Sequence, residues 1–241
     1  ACLMLAATLM RAGLMVFETQ EPHRPRWRGL GRNLRWFYGS LFAGTVIGIV
    51  LLIDISTDFQ AALAFNLRSL YLEEVVKLGP QQRGLLFTVS GIAAMPAMVL
   101  GGWLGDKIGE VRTILIGVLV GALGYLLFPY QRSVLGLAVP FACWGLMGGM
   151  LDPTFRALIS KVTPRERLAT AFGTIIGSVN LVSFPAAHLG PFIYDKLDPQ
   201  MPFLIAGIAQ GVVFLALLGA SGWLARRIAA EQALVGETVL Q

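Results

Sequence analysis

The sequence predicts an all-α membrane protein, a bundle of six membrane-spanning helices preceded by the end of a further span. Three observations predict this fold class. Apolar residues make up 56% of the 241 residues and charged residues only 14%, against about 25% charged residues in an average soluble domain. The mean hydropathy is +0.69, and the apolar stretches are continuous, unlike the alternating strands of a membrane β-barrel. Since a span needs about 20 mainly apolar residues, a chain of this length holds roughly six.

The elements follow from the apolar pattern in chain order. Residues 1–17 are apolar apart from Arg11 and are interpreted as the end of a truncated transmembrane helix. Residues 18–35 form a basic linker, because five arginines and two prolines exclude a span there. Residues 36–225 are interpreted as a six-helix half that opens on aromatic residues typical of a membrane interface. The predicted spans cover residues 42–72, 84–104, 113–130, 134–158, 169–194 and 201–224, and a polar tail occupies residues 226–241.

The positive charges are divided unequally between the two sides of the predicted membrane. Loops on one side hold 13 of the 19 lysines and arginines and loops on the other side hold five, with Arg11 inside the truncated span. Because cytoplasmic loops carry the excess of basic residues, the linker, the two charged connections and the tail are predicted to be cytoplasmic. We expect a multi-pass protein of the plasma (inner) membrane. The net charge of +5 is then a topology signal that requires no nucleic-acid partner.

The sequence offers no pattern of catalytic or cofactor chemistry. Its two cysteines, Cys2 and Cys143, lie in apolar stretches, where a free thiol behaves as a small hydrophobe. The glycines around Gly101 are not followed by Gly-Lys-Ser/Thr, so they form no phosphate loop. Zinc-ligand spacing and a nucleophile elbow are also lacking in the sequence. We therefore expect a protein that is not an enzyme and that needs no cofactor.

One connection carries a recognisable motif, here called the signature loop (residues 102–112). It reads Gly-Trp-Leu-Gly-Asp-Lys-Ile-Gly-Glu-Val-Arg and joins the second and third predicted spans. It resembles the signature cytoplasmic loop of the major facilitator superfamily, Gly-x-x-x-Asp-Arg/Lys-x-Gly followed by basic residues. The matching residues are Gly102, Asp106, Lys107, Gly109 and Arg112. Glu110 and Val111 stand where basic residues are usual, which makes the motif degenerate.

The resemblance implies a fold and a role for this loop. Members of the superfamily have two six-helix halves, each built from 3+3 inverted repeats. A span that enters a basic linker and then six further spans is interpreted as the C-terminal half preceded by the end of the other half; the alternative is an N-terminal half with extra sequence ahead of it. The resemblance implies that the loop gates conformational change, with Asp106 against the start of the fifth span near residues 168–172. Within the half, residues 189–196 faintly echo residues 101–107.

Ionisable residues inside the predicted spans are candidates for a proton or substrate site, because charge is costly in a membrane. Asp54 and Asp58 lie four residues apart and share one helix face. Arg68 falls within about 40° of the same direction on an uninterrupted helix. The alternative is that the helix ends near residue 57, which leaves both carboxylates at the outer interface. Protons are the expected coupling ion, since two carboxylates one turn apart cannot both ionise cheaply in an apolar environment.

Other polar residues receive weaker assignments. His188 lies in an apolar span and can titrate near neutral pH, but a wetted packing residue near the end of a helix has the same pattern. Asp152 and Arg156 lie toward the cytoplasmic end of their span and are expected to support the signature loop. Gly145 and Gly149, with Gly148 between them, are expected to permit close helix packing.

These observations favour a secondary active transporter that moves a small solute by alternating access. The expected partners are a small-molecule substrate, membrane lipid and the other six-helix half of the same polypeptide. A non-transporting membrane receptor or assembly partner is the alternative function. An intramembrane enzyme would need a cluster of catalytic polar residues at one depth, and the sequence offers only the pair Asp54 and Asp58.

Overall fold

The computed structural model describes residues 46–163 and 168–239, and every regular element in those ranges is a helix. The predicted truncated span (1–17), the linker (18–35) and the segment 164–167 of the second charged connection lie outside the described residues. Within the described residues, six helical segments are long and apolar enough to cross a membrane. The elements are α1 (Val46–Ala64), α2 (Leu67–Glu74), α3 (Pro80–Ile108), α4 (Glu110–Leu127), a 3-10 turn (Phe128–Tyr130), α5 (Val134–Val162), α6 (Leu168–Lys196) and α7 (Met201–Val239).

The helix boundaries differ from the predicted spans in three places. The first span is interrupted at residues 65–66, so that α1 and α2 are separate helices. Residues 105–112, expected as a charged turn, are almost entirely helical, and Gly109 alone separates α3 from α4. Gly109 has φ 91°, a conformation that glycine adopts at no steric cost, which lets one residue reverse the chain. α7 continues to Val239, so most of the predicted tail extends the last helix.

The helices form two related groups of three, and each group packs mainly against the other. α1 with α2, α3 and α4 form the first group, and α5, α6 and α7 form the second. The main packing pairs are α3 with α5, α1 with α6, α4 with α5, α1 with α7, and α4 with α7. Each helix of the first group has an equivalent, its mate, in the second group: α1 corresponds to α5, α3 to α6 and α4 to α7. Exchanging the mates converts the α3–α5 pair into α6–α1 and the α4–α5 pair into α7–α1. Because successive spans reverse direction, mates run antiparallel, and the two groups form a 3+3 inverted repeat.

Two buried clusters hold the bundle, one at each end. The loop end, where Gly109 lies, is aliphatic, with Ile114, Leu158 and Ile175 among its members. The far end is aromatic and packs Tyr71 against Phe128 and Phe203. Tyr71 also donates a hydrogen bond to the carbonyl of Pro129 (3.0 Å) and accepts one from Arg132 (2.7 Å). Aromatic side chains with polar partners therefore fasten the far end, and aliphatic packing fastens the loop end.

Candidate functional site

A cavity of about 450 Å³ opens between α1, α3 and α5. We call it the carboxylate cavity, because Asp54, Asp58 and Asp152 line it. Lysine and arginine are absent from its lining, as far as the described residues show. The remaining walls are small or apolar and include Met98, Trp144, Met147, Phe155 and the glycines Gly91, Gly145, Gly148 and Gly149.

Close approach of α3 and α5 forms one wall of the cavity. A Cβ atom added to Gly149 would lie 2.5 Å from the carbonyl oxygen of Ala94, and one on Gly145 would collide with the carbonyl of Ser90. On α3, a Cβ at Gly101 would lie 2.8 Å from the Cα of Met150. Small residues let membrane helices approach backbone to backbone, so the predicted packing role of Gly145 and Gly149 is confirmed. Gly148 instead faces the cavity.

Asp54 and Asp58 both reach the cavity from α1, as their spacing of one helical turn predicts. Asp54 is half-buried and Asp58 is exposed. Between them Thr57 is 8% exposed and donates its hydroxyl to the carbonyl of Asp54 (2.9 Å). α1 continues beyond both residues to Ala64, so the alternative in which the helix ends near residue 57 is wrong.

The third carboxylate, Asp152, comes from α5. Arg156 lies one turn further on and contacts it, with 3.4 Å between Arg156 Nε and Asp152 Oδ2. A smaller adjoining cavity of about 70 Å³ is lined by Asp54, Asp152 and Arg156 together. Asp152 and Arg156 were expected to support the signature loop, and the structure corrects this by placing both beside Asp54. The signal was present: Asp152 follows Gly145 by seven residues, which is the same face of a helix.

Arg68 lies beside the cavity without lining it. Arg68 is only 5% exposed. Its guanidinium lies over the rings of Phe65 (4.0 Å) and Trp144 (4.5 Å). Its Nε donates to the carbonyl of Phe65 (3.3 Å). The break at residues 65–66 interrupts the helical register from which its direction was predicted. Trp144 therefore contacts Arg68 and also lines the carboxylate cavity with the aspartates.

His188 does not join the carboxylates. It lies on the exposed face of α6, in a shallow apolar groove with Phe184, Leu189 and Phe192. Its Nδ1 is 3.4 Å from the carbonyl of Phe184, an interaction within its own helix. Of the four predicted site residues, the structure brings Asp54 and Asp58 into one cavity, puts Arg68 behind its wall and separates His188 from it.

The signature loop is organised by a lysine that its motif does not contain. Lys161, in the last turn of α5, lies 2.5 Å from Glu110 Oε1 and 3.8 Å from Asp106 Oδ1. Glu110, the acidic departure from the motif, is thus the partner of a basic residue on another helix. Among the described residues Asp106 forms its ion pair with Lys161; its expected position against the start of α6 stays a prediction. Lys107 stands over the ring of Trp103 at 4.3 Å.

The two other motif residues contribute differently. Gly102 is exposed, and a Cβ there would meet nothing within 4 Å. Arg112 points into a separate cavity between α4 and α7. Among the described residues no three His, Cys, Asp or Glu side chains come together in a way that could hold a metal ion.

In the described residues, six membrane-length helical segments arranged as two inverted three-helix repeats define a multi-pass membrane helix bundle. The chain belongs to the Major Facilitator Superfamily, whose family model matches residues 31–236.

Relatives of known or proposed transport function share parts of this sequence. The multi-drug resistance efflux pump PmrA homolog of Lactococcus lactis subsp. lactis (strain IL1403) is 31% identical over 126 residues, which is 46% of this chain and 31% of the pump. The quinolone resistance protein NorA of Staphylococcus aureus (strain MRSA252) is 26% identical over 145 residues, which is 60% of this chain and 37% of NorA. The chain spans about a third of the length of these curated relatives.

Solved structures share the fold. The crystal structure of the POT family transporter PepTSo has a TM-score of 0.63 at 19% identity and covers 73% of this chain and 37% of PepTSo. A mutant of the peptide transporter POT, in complex with sulfate, has a TM-score of 0.62 at 18% identity, covering 80% of this chain and 44% of POT. At this level of identity the likeness establishes the architecture alone.

Proposed function

We propose that this chain is one six-helix half of a secondary active transporter, and that the whole protein moves a small solute by alternating access. The observation that carries the proposal is the carboxylate cavity between α1, α3 and α5, where Asp54 and Asp58 meet Asp152. Transporters of this superfamily bind substrate and coupling ions near the membrane midplane, at the interface between repeats. The names of the relatives that resemble this chain, an efflux pump and a quinolone resistance protein, favour export of a small organic molecule.

The exposed faces of two helices support a missing partner half. α3 and α6 are the least buried of the six spans: only 17% and 22% of their most apolar stretches are buried. They are mates in the inverted repeat, so the bundle leaves matching faces uncovered. Large side chains stand out from both, such as Val99 (74% exposed) and Leu181 (75% exposed). Another half docked on these faces would also close the carboxylate cavity, since Met98 of α3 lines it. We infer that residues 36–225 form the C-terminal half, with an N-terminal half as the alternative.

The coupling step follows from the chemistry of the cavity. Three carboxylates face one apolar-walled space, and Arg156 forms an ion pair with Asp152. Asp54 and Asp58 are left as like charges one turn apart. Binding a proton to either relieves their repulsion, which lowers the cost of closing the cavity away from water. Proton binding is thereby linked to the change between inward-open and outward-open states.

The signature loop supplies the second part of the mechanism. Asp106 of α3 and Glu110 of α4 share Lys161 of α5, so the loop joins the two repeats through charge at what we place as the cytoplasmic side. Separating α3 from α5 at this end would break these ion pairs. We propose that the loop stabilises one of the two conformations and that Lys107 extends its contacts to the other half.

The test compares Asp54→Asn and Asp58→Asn in the full-length transporter. Proteoliposomes would be assayed with a panel of solutes that includes a quinolone, for pH-driven accumulation and for counterflow. At least one variant is expected to keep counterflow and lose accumulation, because solute exchange needs no net proton movement. Asp195→Asn is the matched control, since Asp195 is an exposed carboxylate at the end of α6, away from the cavity lining.

Two outcomes would contradict the proposal. Normal pH-driven accumulation in both variants would reduce the two aspartates to structural residues. Loss of solute binding in both, with the pH dependence of any remaining transport intact, would make the pair a site for a cationic substrate. A wild-type transporter that neither accumulates nor exchanges any solute would favour the receptor or assembly function.

A further inference from the structure

A second cavity, here called the loop-end cavity, opens between α4 and α7 on a different side of the bundle. Its volume is about 550 Å³. It begins at the connection between α3 and α4 and is therefore close to the level at which these helices leave the membrane. Its lining residues are Ile108, Gly109, Glu110, Val111, Arg112, Leu115, Leu218, Ser221, Gly222, Ala225, Ile228 and Ala229. None of them lines the carboxylate cavity.

The loop-end cavity lies where α4 and α7 leave open space between them. At the far end a Cβ at Gly207 would lie 2.8 Å from the side chain of Leu126. At the cavity a Cβ at Gly222 would meet nothing within 4 Å. The cavity is therefore a wedge of open space that Arg112 also lines. Its position on α4 and α7 separates it from the uncovered faces of α3 and α6.

Among the described residues, the exposed charge that lines this wedge is positive. Arg112 lines it, is exposed, and has no ion pair with any residue that the structure describes. Glu110 is the acidic lining residue, but its carboxylate is bonded to Lys161 and its side chain is only 12% exposed. Arg226 and Arg227 follow the lining residue Ala225 on α7, and Arg227 stands over the ring of Trp223 at 5.3 Å. Basic residues with an aromatic neighbour at this level are typical of a membrane surface.

The walls complete the requirements of an amphiphilic ligand. Leu115 and Leu218 form an apolar side that continues toward the membrane interior, and Ser221 also lines the cavity, with its hydroxyl donating to the carbonyl of Leu218 (2.8 Å). A lipid phosphate beside Arg112 would bond to the guanidinium and leave the acyl chains along the apolar side. A free inorganic anion would use the charge but not these walls.

We propose that the loop-end cavity binds a phospholipid with an anionic headgroup, held by Arg112. Basic pockets between helices at a membrane surface recognise such headgroups. The inference depends on membrane location and on this cavity, and not on the proton coupling proposed for Asp54 and Asp58. Its failure would leave that mechanism untouched.

The experiment measures retention of phosphatidylglycerol by the purified full-length transporter in detergent, by native mass spectrometry, with phosphatidylcholine as the neutral comparison. Arg112→Gln is expected to reduce phosphatidylglycerol occupancy by about fivefold, in line with the contribution of one basic residue at a membrane surface. Arg112→Lys keeps the charge and is expected to retain most of the binding. Gly222→Leu fills the wedge without changing charge and is expected to reduce occupancy to a similar extent.

Two matched controls separate these effects from general damage. Lys196→Gln removes an exposed basic residue at the opposite end of the bundle, and Gly219→Leu adds the same side chain at an open position outside the lining. Both are expected to leave lipid occupancy within about twofold of wild type, a difference below that assigned to one basic residue.

Three results would overturn the proposal. Unchanged phosphatidylglycerol retention in Arg112→Gln would remove the headgroup contact. Equal retention of phosphatidylcholine and phosphatidylglycerol by the wild type would make the cavity a neutral apolar crevice. Displacement of the lipid by millimolar glycerol 3-phosphate would identify a site for soluble anions. If the other variants elute as aggregates, phosphatidylglycerol would be titrated into Arg112→Lys instead. Because this variant keeps the charge, a large loss of affinity would also contradict the charge-based contact.

Discussion

Two helix–helix interfaces, here called the α3–α5 seam and the α1–α6 seam, are related by the inverted repeat but differ in how often the two backbones approach closely. The α3–α5 seam brings backbones together at Gly101, Gly145 and Gly149, where an added Cβ would collide with backbone atoms of the partner helix. In the α1–α6 seam, such a collision with partner backbone occurs at Gly190, against the carbonyl of Leu63. The sequence echo between residues 101–107 and 189–196 coincides with this equivalence, since Gly101 and Gly190 each approach the first helix of the opposite repeat.

The ends of the two seams also differ. The α3–α5 seam closes at the loop end with charge, where Lys161 lies between Asp106 and Glu110. At the far end of the α1–α6 seam, Tyr194 of α6 donates a hydrogen bond to Glu74 of α2 (3.2 Å). The chain is also interrupted at residues 65–66, next to Leu63. One seam therefore forms a wall of the carboxylate cavity with three backbone approaches along its length, whereas its mate shows one among the described residues.

The largest expected effect comes from adding a methyl group to the tight seam. Gly145→Ala is expected to destabilise the full-length protein by about 1–3 kcal/mol, because the new Cβ meets backbone on α3 that cannot move alone. Gly190→Ala is expected to cost about 1 kcal/mol or less, since the interrupted helix beside Leu63 can shift. Thermal unfolding in detergent would measure both.

Gly177→Ala on α6 is the control, because a Cβ there would meet nothing within 4 Å; we expect its melting temperature to stay the same or rise. A Gly190→Ala variant as unstable as Gly145→Ala would show that the two seams are equally rigid and would break the comparison.

A smaller effect is expected from the charges that close the α3–α5 seam. Lys161 is 41% and Glu110 12% exposed at the side chain, so their coupling energy should be about 0.5–1 kcal/mol. A double-mutant cycle with Lys161→Gln and Glu110→Gln would measure it by thermal unfolding. The coupling of Lys161 to Asp106 should be smaller, because that pair is 3.8 Å apart and the Asp106 side chain is 82% exposed.

The exchanged pair Glu110→Lys with Lys161→Glu sharpens this test, since it should recover part of the stability that either reversal loses alone. Lys77→Gln, at an exposed lysine in the connection between α2 and α3, should have no measurable effect. Zero coupling in the cycle would mean that the loop end is held by aliphatic packing alone.

The smallest effect is expected at the far end of the α1–α6 seam. Tyr194→Phe removes the hydroxyl that bonds to Glu74 and keeps the buried ring, so it should cost about 0.5 kcal/mol. Tyr130→Phe is the control, because Tyr130 is 68% exposed. Loss of more than about 2 kcal/mol in Tyr194→Phe would show that the hydrogen bond to Glu74 carries more of this seam than one neutral donor ordinarily contributes.

Much of the fold was predictable because it is written in local composition. Uninterrupted apolar stretches indicate the number and order of the spans, and all six appear as membrane-length helices. The break at residues 65–66 and the single-residue connection at Gly109 were not predicted. Apolar content does not record where the backbone changes direction within a membrane-length segment, and a helix can continue past the membrane surface into polar sequence, as α7 does.

The candidate site was predictable only in part. Asp54 and Asp58 share a face because they are four residues apart on one helix, which is a property of the sequence. Asp152 comes from a helix nearly a hundred residues away, and Lys161 likewise reaches Glu110 from another helix. Neither partnership leaves a local pattern, since each depends on how the repeats pack.

Short stretches of sequence were enough to indicate that this protein enters the membrane, how many spans the described chain has and which superfamily it resembles, because hydrophobicity and the signature loop are local features. Which charged residues meet depends on the tertiary structure. It placed Asp152 with Asp54 and Asp58, matched the acidic departure at Glu110 with Lys161, and separated His188 from the cavity. The physical reason is that glycines set how closely helices approach, and the approach of α3 and α5 through Gly101, Gly145 and Gly149 decides which side chains share a space.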